Sequence, residues 1–210
     1  MGQLERGSAA FDIRHSFTAA VTYNIPSPAI GGVGKAILGN WSIDSIVRAR
    51  SGTPINIIRF DVIQGVLINT RPDLVLGEPI WIKDPSVPAG KRLNPAAYDV
   101  DTPNLEGRVG NLGRNSIKGL SVSQVDFSLR RQFTLTERTS LQFRADFFNI
   151  FNHPNFANPA PVFSGSNLFN DQAFQMLGRS LGSGGISGGL NPLFQVGGPR
   201  SIQFALKIIF

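Results

Sequence analysis

The chain has no cysteine. That excludes a disulfide framework, a thiolate nucleophile and every cysteine-based zinc site. Its two histidines, His15 and His153, are too few for a multi-histidine metal centre. Charge is sparse, at 16% of 210 residues, and although the net charge is +6 the longest basic run is Arg130-Arg131. The clustered basic patch that nucleic acid needs is missing, so no nucleic-acid partner is expected. No apolar run is long enough for a transmembrane helix, and the opening Met1-Gly2-Gln3-Leu4-Glu5-Arg6 is too polar for a secretory leader. The charge-free stretch His15 to Gly34 is interrupted by Thr18, Thr22, Asn24, Pro26 and Pro28. None of this bears on a protein that crosses a membrane with strands, whose signal is weaker and has period two.

What the chain does have is alternation. From Phe11 to Ile25 the odd positions are Phe11, Ile13, His15, Phe17, Ala19, Val21, Tyr23 and Ile25, and the even ones are polar apart from Ala20. Period two is the pleat of a strand, and Pro26 ends it. Four more such runs follow: Trp41 to Ala49, Val125 to Arg130, Leu141 to Phe147, and Ser201 to Phe210. Ile55 to Phe60 reads as a continuation of the second run beyond Ser51-Gly52-Thr53-Pro54. The third and fourth runs, joined by a short turn around Thr134 to Arg138, predict a hairpin. The connections run short, long, short, long, the long ones spanning about Arg59 to Leu120 and Asn152 to Pro199. Long loops without structure of their own argue against a compact soluble domain, whereas outer-membrane barrels alternate short periplasmic turns with long extracellular loops. Gly182 to Gly189 reads as a flexible stretch inside the second long loop.

The charges keep to the polar parity: Asp12, Arg14, Asp44, Arg48, Arg50, Asp126, Arg130, Arg144, Asp146 and Lys207. A soluble sandwich would also place charge on one face. The aromatics favour the membrane: Tyr23, Trp41, Phe133 and Phe210 fall at the short-turn ends, and Phe11, Phe148 and Phe151 at the others, as two girdles would.

Several segments carry a resemblance. Phe11-Asp12-Ile13-Arg14-His15-Ser16-Phe17, Leu38-Gly39-Asn40-Trp41, Ser51-Gly52-Thr53-Pro54, Gly110-Asn111-Leu112-Gly113-Arg114-Asn115, Leu141 to Phe156 and the terminal strand ending in Phe210 together resemble the C-terminal barrel region of TonB-dependent outer-membrane receptors. The resemblance is greatest to the Oar-like group, which has a carboxypeptidase-regulatory-like N-terminal domain. It implies a barrel of about 22 strands closed around an N-terminal plug, with the TonB complex driving the plug and the outer-membrane lipid around the wall. Five strands cannot close a barrel, for which about eight are needed. The chain therefore reads as the C-terminal piece of a longer receptor or as a truncated reading frame, with the rest of the barrel and its plug as partners.

The expected fold class is all-β: an antiparallel transmembrane β-barrel segment of about five long strands with two long extracellular loops, an incomplete barrel. Residues 1–210 form its C-terminal portion, with no plug domain. The expected function is solute uptake, not enzymatic, and no cofactor is expected. The lumen-facing candidates are Arg14, Asp44, Arg48, Arg50, Asp126, Arg130, Arg144 and Asp146. By the resemblance, Ile202, Phe204, Leu206, Ile208 and Phe210 form a signal read by the barrel-assembly machinery. A soluble or cell-surface β-sandwich and a small autonomous outer-membrane barrel are the alternatives. Gly107 to Gly119 is rich in Gly and Arg, but Lys118 is followed by Gly119 and then a strand, so it lacks the strand-loop-helix setting of a phosphate loop. His153 lies in a turn, with no acid–base pair or nucleophile elbow around it, and His15 reads as an interfacial residue.

Overall fold

The computed structural model describes residues 6–27, 29, 31–63, 65–87, 90–99, 101, 108–159, 162–164 and 197–210. In chain order the elements are β1 (Ser16–Asn24), α1 (Val33–Leu38), β2 (Trp41–Arg50), β3 (Pro54–Ile55), β4 (Ile58–Ile63), β5 (Val66–Thr70), β6 (Asp73–Leu74), β7 (Trp81–Lys83) and β8 (Lys91–Leu93). A 3-10 turn (Pro95–Ala97) follows, then β9 (Tyr98–Asp99), β10 (Ile117–Lys118), β11 (Val122–Thr134), β12 (Ser140–Phe148), β13 (Val162–Ser164) and β14 (Ser201–Ile209). They fall into two compact units. One comprises Ser16–Arg50, Val122–Pro154 and Leu181–Phe210, the other Met1–His15, Ser51–Ser121 and Asn155–Ser180.

The first unit is one antiparallel sheet in the order β1-β2-β11-β12-β14. Its strands are 9, 10, 13, 9 and 9 residues long, close to the roughly 9–11 residues that a tilted strand needs to cross a bilayer. Register decides which side chains share a face. Val21 faces Ser45, Ser45 faces Phe127, Phe127 faces Phe147 and Phe147 faces Ile202. The next row runs Thr22, Asp44, Ser128, Asp146, Gln203. A one-residue slip at any pair would mix the two sets; none occurs, so the apolar parities of all five strands meet on one face. That face is bare. Phe17, Val21, Tyr23, Ile202, Phe204, Leu206 and Ile208 are each more than half exposed, a contiguous apolar surface that water does not tolerate over such an area.

The strand ends have local causes. Asn40, with φ 60°, turns the chain into β2 in a left-handed conformation that asparagine adopts more readily than most residues. Between β11 and β12, Thr136 Oγ1 accepts the Thr139 amide at 3.1 Å, and Leu135 N–H donates to the Thr139 carbonyl at 2.9 Å, closing the hairpin. At the far end of β12 two left-handed asparagines, Asn149 and Asn152, break the strand, each with φ 51°.

Three expectations are corrected. The first strand begins at Ser16, not Phe11. The Asp12 amide closes a turn on the Ala9 carbonyl, and the last ladder bond is that of Ser51 N–H to the His15 carbonyl at 2.9 Å. β2 stops at Arg50, so Phe11 to Arg14 have no strand to pair with. Arg14 therefore does not belong to the sheet, and neither does the girdle position given to Phe11. The run Ile55 to Phe60 does not continue β2: β3 pairs with β10, and β4 with β5. And the long connection from β2 to β11 has a structure of its own.

That connection builds most of the second unit. Its strands are short and pair two or three at a time, antiparallel except for β13 on β4. Ile55, Ile57, Leu93, Ala97, Tyr98, Leu112 and Ile117 form its core, with Leu74, Ile80 and Trp81 packed against it. Glycines allow the crossing points: a Cβ on Gly52 would strike the backbone of Gly119, and one on Gly110 the backbone of Arg71 and Pro72. Asp73 caps the turn that follows, accepting both Arg108 guanidinium nitrogens, at 3.0 and 2.6 Å, and the Asn111 amide at 2.7 Å. The Gly182 to Gly189 stretch lies outside the described residues. The fold is thus all-β, with one open antiparallel sheet and no closed barrel among the described residues.

Candidate functional site: the polar face of the sheet

Alternation makes β2, β11, β12 and β14 present their charges on one side, with the exception of Arg131. Among the described residues of that face stand Arg48, Arg50, Arg130, Arg144 and Lys207 against Asp44, Asp126 and Asp146. Each carboxylate has an arginine partner on a neighbouring or the same strand. Arg48 meets Asp126 at 2.8 Å, Arg144 meets Asp146 at 2.7 Å, and Arg130 meets Asp44 at 3.5 Å. The cations outnumber the acids, so the face keeps a positive balance. Of the sequence candidates, Asp44, Arg48, Arg50, Asp126, Arg130, Arg144 and Asp146 share this face; Arg14 does not.

Burial differs along it. Towards the long-connection end Gln124, Asp126 and Ser128 are buried. Asp126 accepts from Arg48, from Gln124 Nε2 at 2.6 Å and from the Asn149 amide at 3.0 Å. Gln124 Oε1 in turn accepts the Gly197 amide at 2.6 Å. Asn149 Nδ2 donates to the carbonyls of Gly198 at 2.6 Å and His153 at 2.9 Å, and its Oδ1 accepts the His153 amide at 3.0 Å. Asn152 Oδ1 takes the Arg200 amide at 3.0 Å. A satisfied polar network in a buried setting is stiff, because each broken bond strands another group. His153 contributes its backbone here, as a turn residue would.

Towards the short-turn end the face opens into a cavity of about 580 Å³. Asn24, Ser42, Arg130, Gln132 and Gln142 line it. Thr22 Oγ1 donates to Asp44 at 2.8 Å, Ser42 Oγ to Asn24 Oδ1 at 2.8 Å and Gln132 Nε2 to Ser140 Oγ at 2.9 Å, so the lining is a hydrogen-bonded polar surface with the Arg130–Asp44 pair at its edge. On the opposite, apolar face at the same end, the Arg131 guanidinium lies 5.1 Å from the Trp41 ring centre and 4.3 Å from that of Phe133. Trp41 Nε1 donates to the Ile37 carbonyl at 3.1 Å. Trp41 and Phe133, two of the four aromatics expected at this end, thus lie together at it, with an arginine between them.

Sequence reasoning missed Gln124, Asn149 and Asn152. Gln124 sits on the polar parity and so was reachable. Asn149 and Asn152 follow directly on an aromatic strand end, where asparagine is the residue that tolerates a left-handed turn. The terminal residues Ile202, Phe204, Leu206 and Ile208 line the apolar face of β14, an edge of the sheet among the described residues, where Phe204 stacks on Phe143 at 6.2 Å between ring centres. Phe210 stands almost fully exposed.

No curated protein matches the chain, and no solved structure does. A family model described as an outer membrane beta barrel domain matches residues 2–203. With nearly the whole chain matched, and with one bare apolar face behind a charged one, the chain belongs to the outer-membrane β-barrel domain family.

Proposed function

We propose that this outer-membrane chain is wall and extracellular-loop segment of a TonB-dependent receptor that takes up a solute, and that it catalyses no reaction. The observation that carries the reading is the pairing of an exposed apolar face with a cationic, partly buried polar face on five membrane-length strands. The polar face suits a wide lumen that meets solute and plug, and the second unit, inserted between β2 and β11, suits an extracellular loop. Site-specific photo-crosslinking in intact cells tests the role. A receptor gives a TonB adduct that grows when solute is supplied; an outer-membrane barrel that never links to TonB is not one. A small autonomous barrel is the second reading, favoured by a family description that names an outer membrane beta barrel domain and no receptor. It requires β1 and β14 to be joined in one ring, which crosslinks between cysteines placed at Val21 and Phe204 would reveal.

β14 also suits recognition by the barrel-assembly machinery. Among the described residues it is an edge strand with one apolar side, so it offers backbone groups on that edge and a register set by alternate side chains, the two elements of strand addition. Phe210→Asp should leave the sheet intact and lower the heat-modifiable protein in outer-membrane fractions. Unchanged levels would reduce the terminal aromatic to an ordinary last residue.

A further inference from the structure

The loop Gly107 to Gly119 lacks the setting of a phosphate loop, yet its described part does converge on positive charge. Residues 113–118 meet residues 6–15 and 51–54 around a cavity of about 250 Å³. That is the share of roughly eight water molecules in the liquid. Arg6, Arg14, Arg114 and Lys118 line it. The one acidic lining residue is Asp12, whose carboxylate lies 3.8 Å from Arg14 Nε. Gathering four cations around one cavity is unfavourable in the absence of an anion, because like charges repel. Nothing in the packing of the unit requires it: the four side chains are exposed and the core lies elsewhere.

The walls, in contrast, are fixed. Asn115 adopts φ 53° and donates from Nδ2 to the Ser8 carbonyl at 2.6 Å. Gly7 lies so close to the Arg114 backbone that no side chain would fit. Ser51 Oγ accepts the His15 amide at 3.2 Å. A fixed rim carrying exposed cations is a pre-formed anion site, in which guanidinium forks and an ammonium can bind oxyanions by charge-assisted bonds. The volume falls below the roughly 300–1,000 Å³ of sites for drug-sized ligands. We infer that this cavity binds a compact anion bearing two or more negative charges as phosphoryl or carboxylate groups, carried on a free solute or on a lipid headgroup. The inference deepens the receptor reading and rests on it only for what the bound anion is used for.

The test is calorimetric titration of the intact outer-membrane protein in neutral detergent. The probes are inorganic pyrophosphate, citrate and micelles of diphosphorylated lipid A. The native protein should bind at least one of them, more weakly as salt rises. Arg114→Gln with Lys118→Gln should weaken that binding about tenfold or more, and Arg114→Lys should retain most of it. Lys83→Gln with Arg138→Gln removes equal charge away from the cavity and should change it less than about twofold. Heat modifiability confirms that each variant is folded. Binding of pyrophosphate or citrate identifies a free solute, and binding of lipid A alone a headgroup. Binding of none, or equal weakening in the two double variants, overturns the inference. A site that binds in a protein that never links to TonB would leave the anion site standing and remove the receptor role. A TonB adduct without anion binding would do the reverse.

Discussion

Two residues hold the buried part of the polar face, and they should fail differently. Asp126 accepts from a guanidinium, an amide side chain and a backbone amide while nearly buried. Asp126→Ala strands all three donors and should cost about 2–4 kcal/mol. Asp44→Ala, at a more open site with a 3.5 Å ion pair, should cost about 1 kcal/mol or less. Urea unfolding of the membrane-extracted protein would separate them; equal costs would mean that the network carries no weight. Asn149 combines a left-handed backbone with three side-chain hydrogen bonds. Asn149→Gly keeps the first and loses the second, whereas Asn149→Ala loses both, so alanine should be the worse by about 1 kcal/mol. In the second unit, the Arg108 guanidinium and then the Asn111 amide hold the Asp73 carboxyl below its ordinary 3.8, against the opposing effect of burial. A lowered folded value means the stabilisation is complete above pH 3.8 and is lost as pH falls through the lower folded value. Burial pushes the Tyr98 hydroxyl the other way, to about 12. Its contribution is intact below pH 10 and is lost as pH rises towards 12. Hydrogen exchange at Leu112, compared between native protein, Asp73→Asn and Tyr98→Phe, should show the acid limb vanish in one variant and the alkaline limb in the other.

At the scale of the strand, parity is the testable quantity. Val21→Arg and Phe143→Arg place charge on the apolar face, at a cost of roughly 2–4 kcal/mol near the bilayer midplane. Thr22→Arg and Gln142→Arg, one residue away, face the other side and should cost much less. Folded fractions on heat-modifiability gels that fall equally in both pairs would reverse the assignment of faces. Parity was also the part most legible in the sequence. The five runs, the β11–β12 hairpin and the split of Asp44 from Ile43 or Arg144 from Phe143 could all be read because a pleat repeats every two residues. Strand ends could not. Phe11 to Arg14 alternate as well as any strand, but a strand needs a partner, and the partner leaves at Ser51. Nor could the core of the second unit be read, since strands of two or three residues carry no period. Ile55, Leu93 and Ile117 come together through glycine crossings and asparagine caps rather than through any pattern.

For the whole molecule, the open sheet sets the solution behaviour. Among the described residues, β1 and β14 each present an unpaired edge beside a broad apolar face. In lipid, unsatisfied edge groups cost several kcal/mol each, and in water such edges invite aggregation. Residues 1–210 expressed alone should therefore pellet or need detergent. A monomeric mass in plain buffer with a sharp unfolding transition would contradict the membrane assignment of the bare face.

The bonds from Asn149 and Gln124 to Gly198 and Gly197 have a kinetic consequence. Three residues after Gly198 the last strand begins, opposite Phe148. Its first pair is thus held in place by bonds outside its own ladder, much as the pin of a zip is seated apart from the teeth. Closure of β14 on β12 can then run in one direction, from Ser201 towards Ile209, and a strand seated at its start has no freedom to shift by one. The long segment before it can vary in length and composition without disturbing the order in which the final seam closes.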